Sequence, residues 1–392
     1  MNRPRRATWR RTATIAVVAV CVGYAPIAMT ELWPYAHRGA PAVGEWLLGR
    51  AVSPRYVADA LATRIGPYGR SLVALILHSV LGGVLMLLGP VQLLSAIRRR
   101  VRLHRALGVV FALTVYASMA GAAVYLARTA PRDAFSGPAF WIVLATILVG
   151  TVLSVTFGIL AAVGNLPDLH QRWMLLCYGY LMTAPLLRLE WGALPVLLPG
   201  LSMEEVNRVA VMHLGSVVTF GALLASRAMD KRDTAPGVRG TWVPLPVLAA
   251  AHVVGVPALV WIAKSLLGWG ATGHRLLAAY LIPFLATYLI VFVCQRRAGR
   301  DGRSWAREEW RLHLVALCLA PLFSAVAGAL FERYAGLDRR TALAAGIAIG
   351  CGMLAFAATT VVGVRLMSGR QALKRQRPTA AVRPEPDPTP VG

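Results

Sequence analysis

Imidazole is a good ligand for iron, and four histidines of this chain are placed to form two pairs. His78 and His213 each lie about seven residues from the end of an apolar run, roughly 10 Å along a helix axis. His104 and His170 lie at the opposite ends of two other runs. An outer pair (His78, His213) and an inner pair (His104, His170) make the pattern of a membrane protein that holds haem b between histidines on separate helices. A bundle core is where such a cofactor sits. Arg188, near the outer end of a further run, would hold a haem propionate or another anionic group. The same guanidinium can instead snorkel, or pair with Glu190, Glu204 or Glu205. His252, inside a later run, reads as a packing residue.

The run that carries His78 has a polar stripe. His78, Gly82, Leu85, Gly89 and Gln92 recur at helical spacing and fall within an arc of roughly 80°. The remainder of that run is Leu, Val, Ile and Met. A narrow polar face of this kind has to point at protein, because polar groups in hydrocarbon are costly and default to functional suspicion. The glycines on the stripe allow a second helix to approach closely.

The elements that position these residues follow from composition. Hydrophobic residues make up 57% of the 392 and charged residues 15%, well below the roughly 25% charged residues of a soluble domain. Ten apolar runs, at 13–30, 71–96, 105–127, 138–163, 172–190, 206–226, 243–264, 274–295, 309–332 and 341–367, are each long enough to span a bilayer. The fold class is therefore an all-α, polytopic transmembrane bundle of about ten spans. A net charge of +24 invites a nucleic-acid reading, but the basic residues sit in short blocks between apolar runs. That arrangement suits cytoplasmic loops against anionic lipid headgroups. With an even number of spans, every arginine-rich block falls on one face, so both termini are expected in the cytoplasm of a bacterial-type inner membrane. The first run, behind its basic start at 1–12, is expected to stay as an uncleaved span. Segment 31–70, with short amphipathic stretches at Glu45–Leu48 and Val57–Ile65, is expected to form an extracytoplasmic cap of surface helices. The Pro-rich tail at 369–392 is expected to be disordered. The five cysteines form no Cys-x-x-Cys pair, so no disulfide framework or zinc cluster is expected.

Two signatures carry a family resemblance. His78-x3-Gly82, Gly89-Pro90-x-Gln92 and Arg102-x-His104-Arg105-x2-Gly108 form the first; His170-Gln171-Arg172-Trp173-Met174 followed by Arg188 forms the second. Together they resemble predicted bacterial membrane proteins catalogued as domain of unknown function 2306, over roughly 13–228. The resemblance implies a six-span core with no established activity. It marks His78, Gln92, His104, His170, Arg172, Trp173 and Arg188 as signature positions. Gln171 and Val109 stand where that family often has basic residues. The four spans at 243–368 are an addition to that core. Three functions fit: a haem b- or quinone-linked redox protein, a transporter or small-ligand binder whose cavity the polar stripe lines, and a scaffold without chemistry.

Overall fold

The computed structural model describes residues 3–376 except 38, 230–234, 236, 239–240 and 242. The first helix, α1 (Arg3–Thr30), leads into α2 (Trp33–Ala36), α3 (Val43–Ala51) and α4 (Pro54–Gly69). Next come α5 (Leu72–Leu93), the short α6 (Ser95–Arg99), α7 (Val101–Arg128) and α8 (Pro138–Val163). They are followed by α9 (Pro167–Leu181), α10 (Thr183–Leu197) and α11 (Met203–Met229). The chain closes with α12 (Leu245–Leu267), α13 (Gly270–Arg300), α14 (Ser304–Ala335) and α15 (Arg339–Gln376). Among the described residues, nine helices are long and apolar enough to cross a membrane. Large apolar side chains on their outer faces are bare, Val253 to 72% and Ile282 to 68%. Exposure on that scale suits lipid as the solvent.

The fifth expected span, 172–190, is two helices rather than one. α9 stops at Leu181 and α10 starts at Thr183. Pro185 has no N–H to donate back and its ring crowds the carbonyl of Leu181, which is reason enough for the break. The pair still carries the chain between the two ends of the bundle. His170 at the start of α9 lies beside His104 at the start of α7, and Gly192 in α10 lies against Leu48 of α3. The helices α3 and α4, which contain both amphipathic stretches read from the sequence, thus form a cap at one end. The loops rich in arginine lie at the other.

Close helix approach is set by small residues. Side-chain atoms added at Gly346 and Gly350 of α15 would meet Ser324 and Gly328 of α14. α15 also packs on the N-terminal half, because Gly215 of α11 leaves room for the backbone of Ala348 and Tyr180 donates to the Gly352 carbonyl at 3.4 Å. The added spans therefore contribute a wall to the core. α15 is helical through Gln376, so the first residues of the tail expected to be disordered are ordered; the rest of that tail lies outside the described residues, as do Lys231, Arg232 and Arg239.

Candidate functional site

A cavity of about 260 Å³ lies near the cap end, lined by α1, α4, α5, α7, α8, α9, α10, α11 and α15. An ordered water needs only roughly 10–15 Å³ on the same measure, so the space holds far more than one. Its wall is mostly aliphatic and aromatic, including Tyr24, Tyr68, Tyr125, Phe140 and Trp191, with a few polar groups: His78, Ser118, Glu31 and Arg188. That mixture is typical of small-molecule sites. Gly82 of the polar stripe faces this space and has nothing within contact of its missing side chain. Gly89, by contrast, seats the ring of Tyr178.

His78 is held in one tautomer. Its Nδ1 is 2.9 Å from the carbonyl oxygen of Ser118, an acceptor only, so Nδ1 carries the proton. The Ser118 hydroxyl donates to the His78 carbonyl at 3.0 Å. Nε2 is then left with a lone pair. Gly121, one turn beyond Ser118 minus a residue, lets α5 and α7 come this close, since a Cβ there would strike the Ala74 carbonyl.

Arg188 pairs with Glu31 at the end of α1, not with the nearby Glu190, Glu204 or Glu205. Its guanidinium lies 4.0 Å from the Trp191 ring. The same ring receives Arg64 of the cap at 4.9 Å, and Arg64 also covers Phe135 at 4.0 Å. Trp191 is fixed by its own indole N–H, which donates to Asn207 at 3.1 Å, and by Tyr56, whose hydroxyl donates to the Trp191 carbonyl at 3.0 Å. A smaller space of about 20 Å³ between cap and bundle shares Glu31, Arg188 and Trp191 with the larger one and adds Glu45 and Arg64.

Glu45 of α3 lies between the cap and the bundle. Burial, reinforced by Glu31, raises its carboxyl from 4.5 to about 7, against the pull of Arg64. The folded cap therefore holds a proton that the unfolded chain releases near pH 4.5. Stability linked to Glu45 is fully present below that pH and is lost as pH rises through about 7. Hydrogen exchange of the α3 amides should accelerate across this window, and Glu45→Gln should flatten the dependence; an unchanged slope in the variant would assign it elsewhere.

The outer histidines do not meet. Val211, Leu214, Gly215 and Val218 of α11 line the cavity, and at about 100° per residue His213 falls on the opposite face of that helix. Its Nδ1 lies 2.6 Å from the Glu190 carboxylate, and its side chain is 44% exposed. The inner pair does meet: the rings of His104 and His170 are 6.5 Å apart and nearly perpendicular. Gln92 lies toward that end, with both amide atoms buried and unpartnered. Trp173 is packed between Phe157 and Phe356. His252 bonds the Leu248 carbonyl and the Tyr288 hydroxyl, which fits a packing role.

Arg172 belongs to a cluster that sequence reasoning missed. Glu309 of α14 lies 2.8 Å from Arg172 and 3.0 Å from Arg227 of α11, with all three side chains at most 4% exposed. His313 stands 3.7 Å from the same carboxylate. Glu31, Arg64 and Trp191 were missed as well. For Glu309 a signal was available: Trp305, Ala306, Glu309, Trp310 and His313 are all buried and recur at helical spacing.

Residues 75–225 match the model of a family described as a predicted membrane protein, DUF2306. The match runs from within α5 to within α11, a shorter stretch than 13–228. It includes every signature histidine and Arg188, and leaves out Glu31 and Glu309. No curated protein and no solved structure matches the chain.

Proposed function

We propose that this membrane protein, whose residues 75–225 are a DUF2306 region, binds the head-group ring of a membrane quinol at the cap end. One observation carries the reading: His78 is locked with Nδ1 donating to Ser118, which leaves Nε2 as an acceptor in a wall that the cavity shares with Arg188. A quinol hydroxyl donates to such a nitrogen, whereas a quinone carbonyl has no proton to offer it. Aromatic walls suit a flat ring, and the guanidinium fork, partly taken by Glu31, retains donors for a ring oxygen. A haem held between His78 and His213 gains no support from the geometry, since His213 faces Glu190.

The reading predicts an order of affinities. Purified protein titrated with a short-chain benzoquinol under anaerobic conditions should show saturable quenching of tryptophan fluorescence, and the oxidised quinone should bind more weakly. His78→Ala should weaken quinol binding by about three- to tenfold, the worth of one hydrogen bond, and should erase the preference for the reduced form. His252→Ala should change neither. Equal binding of both redox forms by the unaltered protein would remove the role given to Nε2.

The arginine-rich end of the bundle faces the cytoplasm of an inner membrane in this reading, supported by the bias of basic loops, with the quinol cavity toward the other side. A phosphatase reporter fused after Gly369 should be inactive and a fluorescent-protein reporter active; the reverse result would invert the orientation.

A further inference from the structure

At the arginine-rich end, two helices bring two imidazoles together at a spacing that a metal ion between them would require. His104 of α7 and His170 of α9 have ring centres 6.5 Å apart and planes at 82°. A metal bound by imidazole lies about 2.0–2.1 Å from nitrogen. Adding the distance from nitrogen to ring centre puts two rings on opposite sides of one metal ~6.4 Å apart. Rings tilted toward a tetrahedral angle would stand closer, at ~5 Å.

The second feature is tautomer control. His170 Nδ1 is 2.8 Å from the Gly158 carbonyl oxygen, so it carries the proton and Nε2 keeps its lone pair. Metal-bound histidines are oriented in this way by an outer hydrogen bond. The third feature is unmet demand nearby. Gln92 has Oε1 and Nε2 buried without partners, and so does His104 at Nδ1. The Gln92 amide sits 3.9 Å from where a Cβ on Gly108 would stand, one helical turn from His104. Buried polar atoms left unpaired in a folded protein call for an explanation, and a bound ion or ligand is one.

We propose that His104 and His170 are trans ligands of a transition-metal centre, separate from the quinol cavity, with Gln92 orienting what surrounds it. The shared chemistry is a borderline metal ion accepting two imidazole nitrogens. Its source is either porphyrin-bound iron or a free divalent ion.

The test uses the full chain purified in detergent from cells supplied with iron and a haem precursor. Metal content per chain and visible spectra, before and after dithionite, are read together. Near-stoichiometric iron with a Soret band assigns porphyrin iron. Near-stoichiometric metal without porphyrin bands assigns a free ion. His104→Ala and His170→Ala should each cut occupancy by about tenfold or more, while His213→Ala should not. Because an alanine variant can fail to fold, paramagnetic resonance of the oxidised wild type gives an independent reading: low-spin ferric haem, or cupric ion coupled to two nitrogens after exchange with copper. Occupancy below about a tenth of a metal per chain in the wild type, with no uptake of added copper, would overturn the assignment. So would full occupancy retained in both alanine variants. Quinol binding is read separately at His78, so failure of either site leaves the other standing.

Discussion

Replacing Glu309 by alanine should lower the stability of the detergent-purified protein by about 3–5 kcal/mol, the cost of breaking a buried ion pair from one side. The carboxylate is 2% exposed and touches two guanidiniums from different helices. Removing it leaves Arg172 and Arg227 close together in a low-dielectric interior without the charge that stands between them. Side-chain replacement by apolar groups at all three positions is a different experiment. Glu309→Leu with Arg172→Met and Arg227→Met removes the desolvation cost along with the attraction, and should come out neutral or stabilising by about 1–4 kcal/mol. Thermal unfolding of the single and triple variants decides between them. A single variant within about 1 kcal/mol of wild type would mean that water reaches the cluster and screens it.

That cluster fastens the last four spans to α9 and α11. Arg172 and Arg227 belong to α9 and α11, and Glu309 to α14; Arg365 of α15 adds a further pair with Glu308 at 2.6 Å. Since α15 also walls the cap-end cavity through Ala348, Ile349 and Gly352, the Glu309 pairs tie the last four spans to α9 and α11 while the Arg365–Glu308 pair holds α15 on α14. Losing Glu309 should therefore weaken quinol binding as well as stability.

The spans were legible in the sequence because an apolar run of the right length is a direct physical demand of the bilayer. The polar stripe of α5 was legible for a similar reason, since its period is that of one helix. Pairings between helices were a different matter. His78 and His213 share a depth, but depth fixes only one coordinate. Rotation of α11 about its own axis, set by packing Val211, Leu214 and Val218 inward, turns His213 away. Glu31 was invisible as a partner because it stands at the end of its run, where a carboxylate reads as a loop residue; only the fold shows Arg188 beside it. Glu309 differs: the buried spacing of Trp305, Ala306, Glu309, Trp310 and His313 on α14 was there to be read, but Arg303, Arg307 and Arg311 around it drew the eye to the basic loop. The break at Met182 follows from Pro185, which the run itself contains.

The pair of Arg188 and Glu31 separates structure from binding in the quinol reading. Arg188→Leu should destabilise the protein by about 3–5 kcal/mol, because Glu31 stays behind as a carboxylate deprived of its counter-charge. The two side chains are 21% and 12% exposed, so some of that cost is relieved by solvent, and the lower end of the range is expected. Adding Glu31→Gln to Arg188→Leu takes away the orphaned charge and should restore most of the loss. If the guanidinium only closes the bundle, the double variant should bind quinol as the wild type does. If it also donates to the ligand, stability returns while affinity remains depressed by about tenfold, the worth of a hydrogen bond to a charged donor. Unfolding curves and quinol titrations on the same three preparations separate these outcomes, and full recovery of affinity in the double variant would strip Arg188 of any part in recognising the ring.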